Sequence, residues 1–410
     1  MSKWRFPSNR KTSKSTLKQS RFSRPQFLLF ALIFVAVGGI AIWRSFAASN
    51  PNLPGDLNGD NTVNITDLSI LLTNYGTSST TADINGDGTV NILDLSILLS
   101  HYGQTYTGGG TWQATLDNPV PPGSFWTKTL AQQGVSLDPN SANVVNYWLS
   151  TWSSTDHGTL GLTKWGVAEA MTTGSDPTYS LQGTCQYSCS LNRFGNVPIP
   201  SGTQASPDGL PDGDFHLSLL DKSGKSWDMW HAMWNGSTWT AGCGTAWDLN
   251  TDYKSIPGVC GATNGNLPQT VLALRPDEIK KGVITHPLAF SGPGGSKSLP
   301  NRCPTVDGVG NGGSTNANAL VNGMLFRLNL SYNVVASSLS PWEKIIATAL
   351  QTYGMYFQDN SPNMQMVTVI PINQGAAGSW ATLDGWTGDY QDFSSAFPWS
   401  QMQLMTAPCS

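Results

Sequence analysis

The sequence contains few charged residues and almost no glutamate. Lys, Arg, Asp and Glu together make up 12% of the 410 residues, about half of the ~25% that is usual in soluble globular domains. Only three acidic residues are Glu, namely Glu169, Glu278 and Glu343. This shortage excludes a coiled coil or a long helical bundle, because both need Glu, Lys, Ala and Leu in quantity.

The body of the chain also lacks a basic patch, and the net charge is −4. Both facts argue against nucleic-acid binding. Residues 1–50 contain nine basic residues and no acid, whereas residues 51–109 contain six Asp and no base. The sequence contains no Gly-x-Ser-x-Gly motif, no His-Glu-x-x-His motif and no phosphate-binding loop. No motif therefore supports a serine esterase, a zinc protease or a nucleotide-binding enzyme.

Long apolar runs are absent except for one near the start. Residues 1–26 form a basic segment, and residues 27–44 follow as an apolar stretch that predicts a transmembrane or signal-anchor helix. The basic side stays in the cytoplasm by the positive-inside rule. We therefore expect a single-pass membrane protein with an extracellular C-terminal region, or a secreted protein if the chain is cleaved near Ala47.

Cysteine is absent before residue 185, and all six cysteines lie in the last 226 residues. An exported chain favours disulfides over free thiols. Their spacing does not match a zinc site. Proximity in sequence favours the pairs Cys185–Cys189 and Cys243–Cys260, although six cysteines allow 15 pairings.

The most specific feature is a repeat of 27 residues. DLNGDNTVNITDLSILLTNYG at 56–76 returns as DINGDGTVNILDLSILLSHYG at 83–103. Each copy has oxygen-bearing residues at positions 1, 3, 5, 7, 9 and 12 of a 12-residue loop, which is the ligand pattern of a calcium loop. The predicted ligands of two calcium ions are Asp56, Asn58, Asp60, Thr62, Asn64 and Asp67, and Asp83, Asn85, Asp87, Thr89, Asn91 and Asp94.

A sharp turn is expected at loop position 6, which Gly88 occupies in the second repeat. The first repeat has Asn61 there, and Asn tolerates left-handed backbone best after Gly. A helix should follow each loop, because Leu68, Leu71, Leu72 and Tyr75 have the spacing of one apolar helix face, as do their counterparts 27 residues later.

Residues 54–104 closely resemble a type I dockerin, a small all-α module of two loop-helix repeats. The resemblance implies calcium-dependent folding and docking onto a cohesin-like domain, usually in an assembly for polysaccharide catabolism. Cellulosomal dockerins often carry Ser-Thr and Lys-Arg at their contact positions. The corresponding positions hold Ile65-Thr66, Ile92-Leu93, Leu72-Thr73 and Leu99-Ser100. An unusual cohesin, an intramolecular contact and a calcium-stiffened spacer therefore all stay open.

A linker at 105–111 precedes a large region at 112–410, which contains short apolar or alternating runs separated by turn residues. This pattern predicts a mostly β domain, either a sandwich or a jelly roll. In 323–330, alternation predicts a strand that is buried on one side. The capping box Ser340-Pro341-Trp342-Glu343 predicts one helix, and a second short helix is predicted over residues 276–281.

This large region also resembles an uncharacterised family of secreted bacterial proteins. The resemblance is carried by DGDFH at 212–216, TWTAGCGTAWDL at 238–249, LRPDEIKKGVITHPLAF at 274–290, NGMLFRL at 322–328 and ALQTYGMYFQDN at 349–360. It implies no particular reaction.

Candidate catalytic residues follow from the need of a glycoside hydrolase for two carboxylates. The predicted set is Glu278, Asp214, His216, Asp212 and His286. A Trp-rich run at 226–234 could supply a sugar-stacking surface around His231. Each feature also has a structural interpretation: a turn or calcium site at 212–214, a helix cap at Glu278, and core packing for the tryptophans.

The leading hypothesis is an exported calcium-binding dockerin protein that acts on or binds polysaccharide at the cell surface. If it is an enzyme, the expected class is a glycoside hydrolase or a polysaccharide lyase. The first alternative is a non-catalytic carbohydrate-binding or adhesion protein. The second is a structural surface protein with a calcium-stiffened stalk.

Overall fold

The computed structural model describes residues 53–86, 88–105, 112–181, 185, 194–209, 213–257, 259–306, 312–373, 378–383 and 386–409. The predicted membrane or signal segment at 27–44, most of the linker, and Asp87, Cys189 and Asp212 lie outside these residues. Within them, no helix is both long and apolar enough to cross a membrane.

The repeats form two helices of equal length, α1 (Ile65–Thr73) and α2 (Ile92–Ser100). Each begins at an Asn that caps the first turn, with Asp three residues later completing a capping box. The helices share a small core that includes Leu71 and Leu98, both fully buried. The predicted loop-helix repeat is therefore present in both copies.

The large region is mostly β, as predicted, with few helices. Its helices are α3 (Ser141–Ser150), α4 (Gln269–Leu272), α5 (Pro276–Lys281) and α6 (Pro341–Thr352), with 3-10 turns at Phe125–Thr127, Trp380–Thr382 and Trp399–Gln401. Its strands are β1 (Thr159–Gly161), β2 (Val167–Thr172), β3 (Thr178–Ser180), β4 (Asn196–Pro198), β5 (Leu217–Asp221), β6 (Lys225–Trp230), β7 (Met233–Trp234), β8 (Trp239–Thr240), β9 (Cys243–Asp248), β10 (Leu288–Gly292), β11 (Leu325–Leu328), β12 (Met355–Asn360), β13 (Gln365–Met366), β14 (Val369–Ile370), β15 (Tyr390–Asp392) and β16 (Met402–Leu404).

Two main sheets carry the fold, in the strand orders β15-β1-β13-β10-β12-β11-β16 and β14-β2-β5-β6-β9. Both sheets are mixed, because β1–β13, β10–β12, β14–β2 and β2–β5 pair in parallel. An antiparallel jelly roll has no such pairs, so that alternative is wrong for this domain. β13 and β14 are separated by two residues and pair in different sheets, so this segment passes from one sheet to the other.

The sheets share one hydrophobic core. It joins Leu220 and Trp247 of the five-stranded sheet to Ala289, Leu325 and Tyr356 of the seven-stranded sheet. A second core lies between the other face of the seven-stranded sheet and helices α3 and α6. Leu325 is therefore buried as deeply as Phe326, and the prediction that 323–330 is buried on one side is wrong.

Both helices predicted in this region are present. In α6, Glu343 accepts a hydrogen bond from the backbone N–H of Ser340 at 2.8 Å, which closes the predicted capping box. Helix α5 spans the predicted residues 276–281 and ends at Gly282, whose φ of 83° is left-handed. Gly accepts this conformation without the penalty that a Cβ atom brings.

The disulfides join distant residues. Cys185 is bonded to Cys243, and Cys303 to Cys409, across separations of 58 and 106 residues. The predicted local pairs Cys185–Cys189 and Cys243–Cys260 are therefore wrong. Cys243 begins β9, the edge strand of the five-stranded sheet, and Cys185 packs in the same hydrophobic cluster although it is distant in sequence.

Candidate functional site

The first repeat folds its acidic residues into a cluster. Carboxylate oxygens of Asp56, Asp60 and Asp67 all lie within 4.8 Å of one another. Asp56 and Asp67 are fully buried, whereas Asp60 is exposed. Three carboxylates this close repel one another unless a cation compensates them. Their all-oxygen donor set is the one that Ca²⁺ prefers, so the residues fit the ion.

The Asp at position 12 ties the loop to its helix in both repeats. Asp67 accepts backbone hydrogen bonds from Leu57, Asn58 and Asn64 at 2.8, 3.1 and 2.9 Å, and Asp94 accepts them from Ile84, Asn85 and Asn91 at 2.7, 3.1 and 2.8 Å. Burial raises the pKa of Asp94 to about 6, against the effect of these hydrogen bonds. A bound cation favours the ionised carboxylate, so the second loop also suits calcium.

The turn at loop position 6 confirms the conformational prediction. Asn61 has a φ of 66° and Gly88 a φ of 92°. Both therefore adopt the left-handed backbone that the loop requires, and only Asn61 pays a Cβ penalty for it.

The two repeats differ in what covers their helices. Ile97 in α2 is 3% exposed, whereas its counterpart Ile70 in α1 is only half-buried. Ser96 and Ile97 line a cavity of about 180 Å³ together with Ile345 of α6, so α2 lies beside the large domain. Leu72 and Tyr75, predicted on the buried face of α1, are instead 53% and 47% exposed.

The large domain contains a cavity of about 1360 Å³, here called the cleft, which is lined by strands of both sheets. Its aromatic lining residues are Trp165, Trp230 and Tyr390, and its acidic ones are Asp214, Asp359 and Asp392. This volume exceeds the ~300–1,000 Å³ of typical small-molecule sites and suits an extended ligand.

The predicted catalytic residues divide between two places. Asp214 and His216 line the cleft, where Asp214 accepts a hydrogen bond from the Trp230 indole N–H at 2.9 Å. Glu278 and His286 contact each other at 2.7 Å and are not part of the cleft lining. Asp212 lies outside the described residues.

Glu278 belongs to a largely buried cluster of ionisable residues, here called the charge cluster, formed by Glu169, Arg275, Glu278 and His286. Two nitrogens on one edge of the Arg275 guanidinium, Nε and Nη2, donate to the Glu169 carboxylate at 3.1 and 2.6 Å. Glu278 caps α5 by accepting from the Arg275 backbone N–H at 2.7 Å. Burial acts to raise the pKa of Glu278, but His286 and Arg275 outweigh it and hold that pKa below its ordinary value.

Several buried polar atoms that line the cleft have no hydrogen-bond partner within the described part of the chain. They are His216 Nδ1, Thr263 Oγ1, Asn266 Oδ1, Gln269 Nε2 and Gln358 Oε1. Gln269 and Gln358 are 1% and 2% exposed. An unpaired buried polar group costs about 1–3 kcal/mol, and ten further atoms of this kind belong to described residues that do not line the cleft.

The backbone is also unusual around the cleft. Of the described residues, five other than glycine have a positive φ, and Asn61 in the calcium loop is one of them. The other four are Trp165, Phe215, His231 and Asn266. Trp165 and Asn266 line the cleft, and Phe215 and His231 each adjoin a lining residue. Such strain, which costs about 1–3 kcal/mol per residue, collects at functional sites.

Asp208 holds two of these strained residues in place. Its carboxylate accepts from the backbone N–H groups of Trp165 at 2.6 Å and Phe215 at 3.0 Å. The Trp165 carbonyl in turn accepts from the Gln365 amide at 2.6 Å. Both polar groups of the Trp165 backbone are therefore fixed by side chains, which orients its indole at the cleft.

The Trp-rich run at 226–234 does not form one surface. Trp227 is buried in a core cluster, Trp230 lines the cleft, and Trp234 is exposed against Trp239 at a centroid distance of 6.1 Å. His231 stacks on Trp230 at 4.3 Å. Only one of these tryptophans can therefore contact a ligand in the cleft.

Asp359 is a candidate that sequence reasoning missed. It lines the cleft from the end of β12 and acts electrostatically on His216. Its position at a strand end, directly before Asn360, was the available signal, but nothing local distinguishes it from the other aspartates.

Comparison with known proteins supports the small module. Residues 54–101 match the family model of the dockerin type I domain. A solved structure described as a type II cohesin-dockerin domain from Bacteroides cellolosolvens is 42% identical, over 13% of this chain and 92% of that chain, with a TM-score of 0.13. No curated protein matches the chain.

Proposed function

We propose that this chain, which belongs to the dockerin-containing proteins through the type I dockerin domain at residues 54–101, delivers a glycan-binding domain to a cohesin-based assembly. Dockerin domains typically bind calcium and assemble with cohesins. The two-ion stoichiometry, the glycan and the export to the cell surface are parts of the proposal.

The cohesin surface is assigned to exposed apolar residues of the dockerin. Ile65, Leu72 and Tyr75 of the first repeat are 65%, 53% and 47% exposed. Ile65 and Leu72 occupy the positions at which cellulosomal dockerins carry contact residues. Apolar side chains replace polar ones there, so the partner should present an apolar face.

Calcium titration by calorimetry tests the two-ion stoichiometry. We expect two binding events coupled to helix formation, because the buried Asp67 and Asp94 anchor the loops only when their charge is compensated. Absence of calcium uptake would contradict the assignment of both loops.

The glycan proposal depends mainly on one observation, the set of unpaired polar atoms on the cleft wall. Hydroxyl groups both donate and accept, but these atoms expose almost no surface, so a sugar chain would pair with them only after the side chains shift toward the cleft. Trp165, Trp230 and Tyr390 bring aromatic surface to the cleft, against which the apolar faces of sugar rings would pack.

A polysaccharide panel tests this proposal through affinity electrophoresis of the full chain. Trp230→Ala should abolish retention by the bound polysaccharide. Trp234→Ala is the matched control, because this exposed indole lies outside the cleft lining. Equal retention of both variants would contradict the assignment of the cleft.

Product analysis on the same panel separates an enzyme from a binding module. New reducing ends would favour a glycoside hydrolase, and unsaturated ends a lyase. Retention without product would favour the non-catalytic alternative, whereas absence of both would favour the structural surface protein.

A further inference from the structure

The two helices of the dockerin are almost identical in sequence. α1 reads ITDLSILLT and α2 reads ILDLSILLS, so they differ at two of nine positions. Leu93 stands in α2 where α1 has Thr66, and Ser100 stands where α1 has Thr73. Helices this similar should bury their residues alike, so a difference in burial shows what surrounds each of them.

One face of α2 is more buried than the same face of α1. On each helix this face is a stripe of four residues with i, i+3, i+4, i+7 spacing. The α1 stripe is Thr66, Ser69, Ile70 and Thr73, and the α2 stripe is Leu93, Ser96, Ile97 and Ser100. Ile70 is half-buried and the rest of the α1 stripe is exposed, whereas Ile97 is buried and the rest of the α2 stripe is half-buried. Both sequence differences between the helices fall on this stripe.

The large domain accounts for the burial of the α2 stripe. Ile97 is 3% exposed but is not among the described residues of the dockerin core, whereas Ile70 packs against that core. Ser96 and Ile97 instead line the cavity of about 180 Å³. Its other described lining residues all belong to the large domain, among them Ile345 and Thr348 of α6.

The second calcium loop lies against the same surface. A Cβ atom added to Gly86 would collide with the Cβ atom of Ala131 in the large domain. The neighbouring Leu130 donates its backbone N–H to the carbonyl of Thr352 at 2.9 Å, and Thr352 lines the cavity beside α2. The loop and the helix of the second repeat therefore lie on one continuous surface of the large domain.

This arrangement limits where a partner can bind. Ile92 corresponds to Ile65 and is 39% rather than 65% exposed, and Leu99 corresponds to Leu72 and is still 51% exposed. Ser96 lies four residues after Ile92 and three before Leu99, so the three share one face of α2. Because Ser96 borders the large domain, a partner that spanned Ile92 and Leu99 would overlap that domain.

We propose that the second repeat anchors the dockerin to the large domain of its own chain, and that an external partner docks only across the first repeat. The second clause rests on the proposed function, because it takes a cohesin as the partner. The partner then meets the α1 stripe together with Ile65, Leu72 and Tyr75. It should present aliphatic side chains and hydroxyl groups, as the large domain presents Ile345 and Thr348 beside α2.

Cysteine labelling tests the anchor on the calcium-loaded full chain without a partner. Ser69→Cys and Ser96→Cys place a thiol at the same position of the two helices, and the unchanged chain gives the background rate. We expect a maleimide to modify Ser69→Cys about tenfold faster than Ser96→Cys, because the large domain restricts access to the second position. Equal rates would overturn the anchor.

A change in the large domain tests which surface restricts this access. Thr348→Asp places a carboxylate where α2 would desolvate it. Labelling of Ser96→Cys in this background should rise to the rate of Ser69→Cys. The dockerin sequence is unchanged in this variant, so its calcium loops stay intact. Undiminished protection of Ser96→Cys would contradict the assignment to α6.

Two glycines provide a matched pair for the loop contact. Gly59 and Gly86 occupy the same loop position and have φ values of 71° and 72°, so alanine brings the same backbone strain to both. Gly86→Ala should also raise the labelling rate of Ser96→Cys, whereas Gly59→Ala should not. An equal rise in both variants would show damage to the calcium loops and contradict the contact with Ala131.

Partner binding separates the anchor from the proposed function. Leu72→Asp and Leu99→Asp are matched, because the two leucines are 53% and 51% exposed. With a panel of purified type I and type II cohesins, Leu72→Asp should abolish capture of the full chain and Leu99→Asp should leave it unchanged. Equal results for the two variants, or loss in Leu99→Asp alone, would overturn docking across the first repeat. If no cohesin captures the unchanged chain, the proposed function fails, whereas the labelling test of the anchor stands by itself.

Discussion

The charge cluster and the cleft are two groups of ionisable residues that differ in what surrounds their charged side chains. In the charge cluster, Arg275 contacts Glu169 through two nitrogens, and Glu278 contacts both His286 and the Arg275 backbone. In the cleft, Asp214, Asp359 and Asp392 line a cavity whose described lining residues include no Lys or Arg.

This difference indicates which of the two groups stabilises the fold and which can contact a ligand. A buried charge with all its partners in place has nothing left to offer a ligand, and its removal acts on stability. A carboxylate that lines a cavity can be reached by a ligand, and its removal acts on binding. The following predictions test this contrast, ordered by their expected effect on the free energy of unfolding.

Glu169→Gln should have the largest effect, because it removes the carboxylate that pairs directly with the buried Arg275 guanidinium. The free energy of unfolding should fall by about 3–5 kcal/mol, measured by chemical denaturation. Replacing Glu169 and Arg275 together by apolar residues of similar volume should restore most of the loss. A loss below about 1 kcal/mol, the range of an exposed ion pair, would show that Glu169 and Arg275 do not form a strong buried ion pair.

Glu278→Gln should lower the free energy of unfolding by about 1.5–3 kcal/mol at neutral pH, the range for a charged hydrogen bond. The pKa of Glu278 is depressed in the folded state from 4.5, so its contribution is present above that value. It is lost as pH falls through the folded pKa.

Denaturation of the wild type and of Glu278→Gln as a function of pH checks this sign. The difference between the two proteins should shrink as the pH is lowered below 4.5. A difference that grows in acid would contradict the depressed pKa. Retention on polysaccharide should be unchanged wherever the variant is folded, because Glu278 is not part of the cleft lining.

Asp208→Asn tests a residue that shares features with both groups. Asp208 is buried like the charge cluster, but it positions residues at the cleft. Loss of a charged acceptor for the Trp165 and Phe215 N–H groups should cost about 1–2 kcal/mol of stability. Glycan affinity should fall several-fold because Trp165 is no longer fixed. Binding that stays unchanged would show that Asp208 has only a structural role.

Asp214→Asn should have the smallest effect on stability, within about 0.5 kcal/mol, because an Asn oxygen can still accept from Trp230. Its effect should appear in glycan calorimetry. Strong destabilisation of this variant would show that Asp214, like the charge cluster, acts mainly on stability. That result would contradict the difference between the two groups.

Local features of the fold could be predicted well from the sequence. The calcium loops, helix α5 and the α6 capping box each depend on residues within about a dozen positions. Asn61 and Gly88 show this most clearly, because loop geometry alone requires their left-handed backbone.

The cleft could not be predicted in the same way. Its walls come from residues 159 to 392, and only the strand order brings them together. Because the sequence contains few Glu residues, Glu278 was a candidate catalytic residue. The number of Glu residues does not show, however, which side chains Glu278 contacts. Nothing near Asp359 in sequence indicates that it lies beside His216. The pairing of Cys185 with Cys243 was missed for the same reason.

Because the chain passes from one sheet to the other, the large domain depends on strands that are far apart in sequence, and this affects its folding rate. β13 pairs with β1 across about 200 residues, and β16 pairs with β11 although β12 to β15 lie between them in sequence. Domains with such non-local pairing fold slowly, whereas the dockerin depends on local contacts and folds fast. During synthesis, a calcium-loaded dockerin would therefore already be competent to assemble while the edges of both sheets are still open to proteases and to aggregation.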